Sequence, residues 1–173
     1  MTSIKECPIV HHQPVAWGDM DAFGHLNNVQ YYRYMESARI EYLTQIDAFG
    51  MGLVTVIASS SCRYYRPVFY PDLLKIGVRV VELRNSGFRM VYVLYSNQQA
   101  QMVATGESIV VLVDANTHEK TALPLALKQR IAKLEASAGH ELPLSEPTDK
   151  LRLSGLGRAL MENLDQIVPK IGK

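Results

Sequence analysis

The residues best equipped for chemistry lie in one stretch, Trp17-Gly-Asp-Met-Asp-Ala-Phe-Gly-His-Leu-Asn-Asn28, directly ahead of an apolar pattern of helical period that begins at Tyr31. A helix start leaves about four backbone N–H groups without partners, and the aligned peptide dipoles place partial positive charge there. Such an end receives an anion, or a carbonyl oxygen on its way to becoming one. Asn27 or Asn28 supplies a cap, and Gly24 lets the backbone turn tightly or take a positive φ. Asp21 lies one turn upstream, where its carboxylate can face the same point. A carboxylate beside an oxyanion site equips a hydrolase. The same residue types also build ordinary turns and caps. A calcium loop fails on spacing: with Asp19 and Asp21 as its first ligands, Phe23 falls where an oxygen is needed and Gln30 where a bidentate Glu belongs.

The elements that must hold this stretch can be read from periodicity. Tyr31, Met35, Ala38, Tyr42, Ile46 and Phe49 recur three or four apart, which predicts a helix from about Asn28 to Phe49, ended by Gly50 and Gly52. A second row, Tyr32, Glu36, Ile40 and Leu43, lies beside the first, so the helix is expected to be covered over more than half its circumference; Glu36 and Arg39 are spaced to pair. Ahead of it, residues 9–17 read as a strand containing His11 and His12, which point to opposite faces and so do not chelate one metal. From Leu53 the period changes to two. Leu53–Tyr65, Leu74–Arg84, Phe88–Asn97 and Gln101–Asp114 read as strands with short connections, hence an antiparallel sheet. One long helix before a run of strands gives an α+β fold in which the sheet wraps the helix. Pro124 opens a further helix carrying Leu127, Ile131 and Leu134. Residues 1–137 thus form one domain, and residues 138–173 a proline-containing linker and a helical extension with the stripe Leu153, Leu156, Leu160, Leu164 and Ile167.

Composition bounds the function classes. With 173 residues and 47% hydrophobic content the chain has enough apolar material for one full core, and a net charge of +1 leaves no electrostatic footprint for nucleic acid or an anionic membrane. Cys7 and Cys62 lie far apart and outside metal-ligand spacing, which fits a reduced, cytoplasmic chain with no metal and no cofactor. There is no signal-peptide run and no apolar stretch long enough to span a bilayer, so a soluble protein is expected. A Gly-x-Ser-x-Gly elbow is also missing, which argues against a serine hydrolase.

The run Asp19-Met-Asp-Ala-Phe-Gly-His-Leu-Asn-Asn28, followed by Tyr31-Tyr-Arg-Tyr-Met-Glu-Ser-Ala-Arg39, resembles the signature of the 4-hydroxybenzoyl-CoA thioesterase family of hotdog-fold acyl-CoA thioesterases. The order of elements is similar through about residue 135. The resemblance implies a hotdog fold and thioester hydrolysis, with Asp21 as nucleophile or as general base for water. It also implies that backbone N–H groups around Asn28 hold the thioester oxygen, while Asp19 is left to structural work and His25 either orients substrate or water or bonds within the loop. It further implies a homodimer or a tetramer of dimers with the acyl pocket at a subunit interface, lined by Tyr31, Tyr32 and Tyr34. An acyl-CoA substrate brings phosphates and adenine, for which Arg63, Arg66 and Lys75, around Tyr64, Tyr65 and Pro67, are the candidates. Two other functions fit the same fold: a non-catalytic acyl-CoA or acyl-carrier-protein binding module, and a hotdog hydratase or dehydratase. An intact Asp21 argues against the first, and the second needs a different Asp and His spacing.

Overall fold

The computed structural model describes residues 3–51 and 53–144. In chain order its main elements are β1 (Ile9–Pro14), α1 (Asn28–Gln45), β2 (Leu53–Tyr64), β3 (Leu73–Leu83), β4 (Gly87–Ser96), β5 (Gln101–Asp114) and α2 (Leu125–Ser137). The strands form one sheet in the order β1-β3-β4-β5-β2, with every neighbouring pair antiparallel. The fold is therefore α+β, as expected, and strand bounds fall within about a residue of those read from the two-residue period, except in β1. That strand stops at Pro14, and Trp17–Asp19 form a single 3₁₀ turn.

The alternation that makes the strands also makes the core. Phe88, Met90 and Leu94 on β4 and Leu74, Ile76, Val78 and Val80 on β3 are fully buried on one face of the sheet. Onto that face α1 presses Tyr31, Tyr34, Met35, Ala38 and Tyr42. Gly106 permits the close approach, since a Cβ there would collide with Met35 Sδ. α2 adds Leu127 and Ile131, and its fully buried Glu135 accepts from Tyr42 Oη and from the Val80 N–H, each at 2.7 Å. His11 faces α1, where Nδ1 lies 2.7 Å from Glu41 Oε2, while His12 sits on the opposite face beside Lys75.

Three features depart from the sequence expectation. α1 ends at Gln45, four residues before Phe49, because Asp47 rather than a glycine takes the left-handed conformation, with φ 51°. The Asp47 and Ala48 N–H groups then close on the Thr44 and Leu43 carbonyls. The second helical row is covered only in part: Leu43 is fully buried but Tyr32 and Ile40 are exposed, because a single sheet shields one side of the helix only. Finally β2 and β3, consecutive in sequence, are not neighbours; β5 and β4 lie between them. Residues 145–150 of the expected linker and the leucine stripe beyond it lie outside the described residues.

Replacing Gly106 with Val forces Met35 and the helix away from the sheet. The expected cost is about 1–3 kcal/mol in urea denaturation, the range for overpacking, and a smaller one in a Met35→Ala background.

Candidate active site

The stretch singled out by its chemistry folds as a closed loop at the N-terminus of α1. Its neck is formed by the Asn27 N–H donating to the Asp19 carbonyl at 2.9 Å, a bridge between Met20 and Leu26, and the Asp21 N–H donating to the His25 carbonyl at 2.7 Å. Gly24 turns the tip at φ 78°, where any side chain is strained. The Leu26 N–H donates to the Val68 carbonyl at 2.8 Å and pins the loop to the segment that follows β2.

Asp21 is half used by this architecture. Its Oδ1 accepts from the N–H groups of Phe23 at 2.8 Å and His25 at 3.0 Å, whereas Oδ2 has no hydrogen-bond partner among the described residues. These bonds, that to His25 foremost, together with the nearby imidazole of His25 and the Gly24 N–H, hold the carboxyl below the usual aspartate range. The group is an anion with one oxygen free to act. The helix end is half used in the same way. Asn27 caps it, its side chain accepting from the Val29 N–H at 3.1 Å, and the Gln30 N–H bonds the Asn27 carbonyl at 2.9 Å. The Asn28 N–H has no acceptor among the described residues and stays available at the positive end of the helix.

Both groups border a cavity of about 370 Å³ that also takes in His25, Tyr31, Tyr64 and Arg66. The His25 ring stands edge-on to Phe69 with centroids 5.1 Å apart, and Tyr31 and Tyr64 meet in the same fashion at 4.9 Å. Burial pushes the Tyr31 phenol up to about 12, so it stays neutral. Among the described residues no group of three or more His, Cys, Asp or Glu side chains is placed to hold a metal ion.

The candidates from the sequence do not all converge here. Asp21, His25, Asn28, Tyr31 and Arg66 do, with Gly24 shaping the loop that carries them. Arg63 instead pairs with Thr105 and lines a separate groove of about 490 Å³ with Tyr65 and Glu107. Lys75 lies on β3 between His12 and Tyr95, on the far side of β4 and β5 from β2. The three cations are close in sequence, but the chain crosses the sheet between Arg66 and Lys75. Tyr32 does not line the cavity but a shallow groove with Val29 and Ile57, where it meets the cavity residue Tyr64. The sequence reading did not anticipate that Tyr34 bonds Asp19, or that Phe69 packs on His25. The first was signalled only by the spacing of Tyr34 three residues after Tyr31 on one helical face.

The family model described as the Thioesterase-like superfamily matches residues 15–131, which contain the whole loop, α1 and the sheet from β2 to β5. The chain belongs to the thioesterase-like superfamily. This thioesterase is 33% identical to one from Thermus thermophilus, solved with coenzyme A and zinc, at a TM-score of 0.69 over 76% of this chain and 97% of that one. It is 25% identical over 119 residues to the long-chain acyl-CoA thioesterase FadM of Escherichia coli, covering 66% of this chain and 90% of the relative. A putative esterase of Aquifex aeolicus is 29% identical over 98 residues, 54% of this chain and 77% of that protein. The architecture is thus the hotdog fold of thioesterases, and the enzyme is a thioester hydrolase.

In a pH titration followed by side-chain carboxyl NMR, Asp21 is expected to titrate below the ordinary aspartate range. Gly24→Ala, which strains the loop that supplies the N–H donors, is expected to move that midpoint upward.

Proposed function

We propose that this thioesterase hydrolyses acyl-CoA, with Asp21 delivering the attacking oxygen, its own or that of water, and the Asn28 N–H receiving the thioester oxygen as negative charge develops on it. The observation that carries the reading is that Asp21, with Oδ2 uncommitted, and Asn28, whose N–H has no acceptor among the described residues, line one cavity. A thiolate leaves readily, so carbonyl polarisation and a positioned carboxylate suffice. His25 lies where it can orient substrate or water. Coenzyme A as the thiol is supported by the Thermus relative, and Arg66, on the same cavity, suits a phosphate by its bidentate geometry.

The same reading includes a cytoplasmic homodimer, or a tetramer built from dimers. β2 is a twelve-residue edge strand whose Val54, Val56 and Ile57 are exposed, beside the exposed helical row of Val29, Tyr32 and Ile40. A long apolar edge of this kind is normally covered. Phe23, two residues from Asp21, is 84% exposed, so a partner seated nearby would complete the acyl pocket. Cys7 and Cys62 are both free thiols, in keeping with a reducing compartment.

The decisive experiment is thiol release, followed with a colorimetric disulfide reagent, from acetyl-, hexanoyl-, palmitoyl- and aromatic CoA esters. Asp21→Asn keeps an oxygen for the Phe23 and His25 N–H groups but loses the charge, and is expected to lower turnover by about two to four orders of magnitude with the fold intact. Wild-type turnover in a folded Asp21→Asn variant would remove Asp21 from the mechanism. Arg66→Ala is expected to raise KM for CoA esters roughly tenfold, the effect of losing one charged hydrogen bond, and to leave short thioesters without the nucleotide unaffected. Arg63→Ala, on the other groove, serves as the comparison. For the assembly, Val56→Lys with Ile57→Lys is expected to shift light scattering from dimer or tetramer to monomer; a monomeric wild type would refute the interface.

A further inference from the structure

We infer that Tyr34 is a positioning residue for the hydrolysis: through Asp19 it sets the separation between the Asp21 carboxylate and the Asn28 N–H. The inference rests on the roles given to those two groups above.

The loop that carries Asp21 has two arms, and they are anchored differently. The returning arm runs through Asn27, the cap, directly into α1, so its position follows that of the helix. The outgoing arm arrives from the 3₁₀ turn Trp17–Asp19, none of whose residues is buried; Trp17 is 77% exposed. That turn is not held by packing of its own, although Met20 after it packs partly against the core and bridges Leu26. Tyr34 ties the end of the turn, at Asp19, to the helix by a side-chain bond. Its ring is buried in the core on α1, and its hydroxyl donates to Asp19 Oδ2. The Asp19 carbonyl in turn accepts the Asn27 N–H, so the two arms are joined at the neck and both are referred to one rigid helix.

Tyr34 lies six residues beyond Asn28, about 9 Å along the rod at 1.5 Å per residue. A phenol-to-carboxylate bond is charge-assisted, stronger than a neutral one, and directional. Burial and the adjacent Asp19 charge keep the phenol protonated, so it remains a donor. Neither Tyr34 nor Asp19 borders the cavity. A phenylalanine would fill the same core volume, so the hydroxyl acts through its polar partners, the Asp19 carboxylate and the Ala16 backbone, both on the outgoing arm.

Misplacing a reacting group by about 1 Å can cost up to a hundredfold in rate. Tyr34→Phe is therefore expected to lower kcat roughly ten- to hundredfold with KM little changed. The acid limb of the pH–rate profile should stay in place, because the N–H donors of Asp21 lie inside the loop. Asp19→Ala is expected to match Tyr34→Phe, and Asp19→Asn, which keeps an acceptor for the hydroxyl, to recover most of the rate. In an Asp21→Asn background Tyr34→Phe is expected to have no further effect. Wild-type kcat for Tyr34→Phe overturns the inference, as does the same proportional loss with and without the Asp21 carboxylate, the mark of a purely structural role. If Tyr34→Phe does not fold, the contrast between Asp19→Ala and Asp19→Asn decides: equal rates refute the inference. Wild-type turnover for Asp21→Asn alone is a separate outcome and overturns the underlying reading of the site.

Discussion

The seating of α1 on the sheet is the constraint from which the rest of the structure follows. Met35 presses into the gap left by the missing side chain of Gly106, and Tyr31, Ala38 and Tyr42 extend the contact along the helix. A helix is stiff, so fixing its middle fixes its ends. At one end Asn28 borders the cavity between the loop and the segment after β2. Burial of Leu26, whose N–H bonds Val68, fixes the entry of the chain into the helix. The hydrophobic term thus supplies the rigidity that the proposed oxyanion site requires.

Within that frame, the use made of carboxylates separates structure from chemistry. Asp72 is buried and both its oxygens are engaged: Oδ1 accepts from Leu73 and Gln98 N–H groups, and Oδ2 from the Ser96 hydroxyl. Asp19 holds the hydroxyl of Tyr34. Asp21 differs from Asp72 in that the loop orients it through one oxygen and leaves the other open, and from Asp19 in that it lines the cavity. Backbone N–H donors that lower the pKa of a carboxylate make it a weaker base but keep it ionised and pointed in one direction. Hydrolysis of a thioester, with its good leaving group, is a reaction that such a carboxylate can serve.

Much of this was legible in residues 17–28 and in the periods on either side. Asp21, Gly24 and the Asn cap are tied together by bonds between near neighbours in the chain, and local bonds are what composition and spacing encode. Other features were beyond reach. The stop of α1 at Asp47 depends on one residue adopting a left-handed conformation that glycine would adopt more readily. Tyr31 and Tyr32 are adjacent and chemically alike, yet one lines the cavity and the other faces outward, since successive helical residues diverge by about 100° and only the placement of the sheet chooses between them.

The sequence by itself determined the elements, the capped loop ahead of the helix, and the identity of the carboxylate that the loop presents. Each arises from interactions among residues a few positions apart. Only the tertiary structure decided which distant groups share the cavity. Strand order places β5 and β4 between β2 and β3 and so separates Lys75 from Arg66 at the Asp21 site, while Arg63, near the end of β2, lines another groove. The contact of Tyr34 with Asp19 is of the same kind, set by where α1 lies against the loop. Pairings of this sort are settled by long-range packing, which leaves no local period to read.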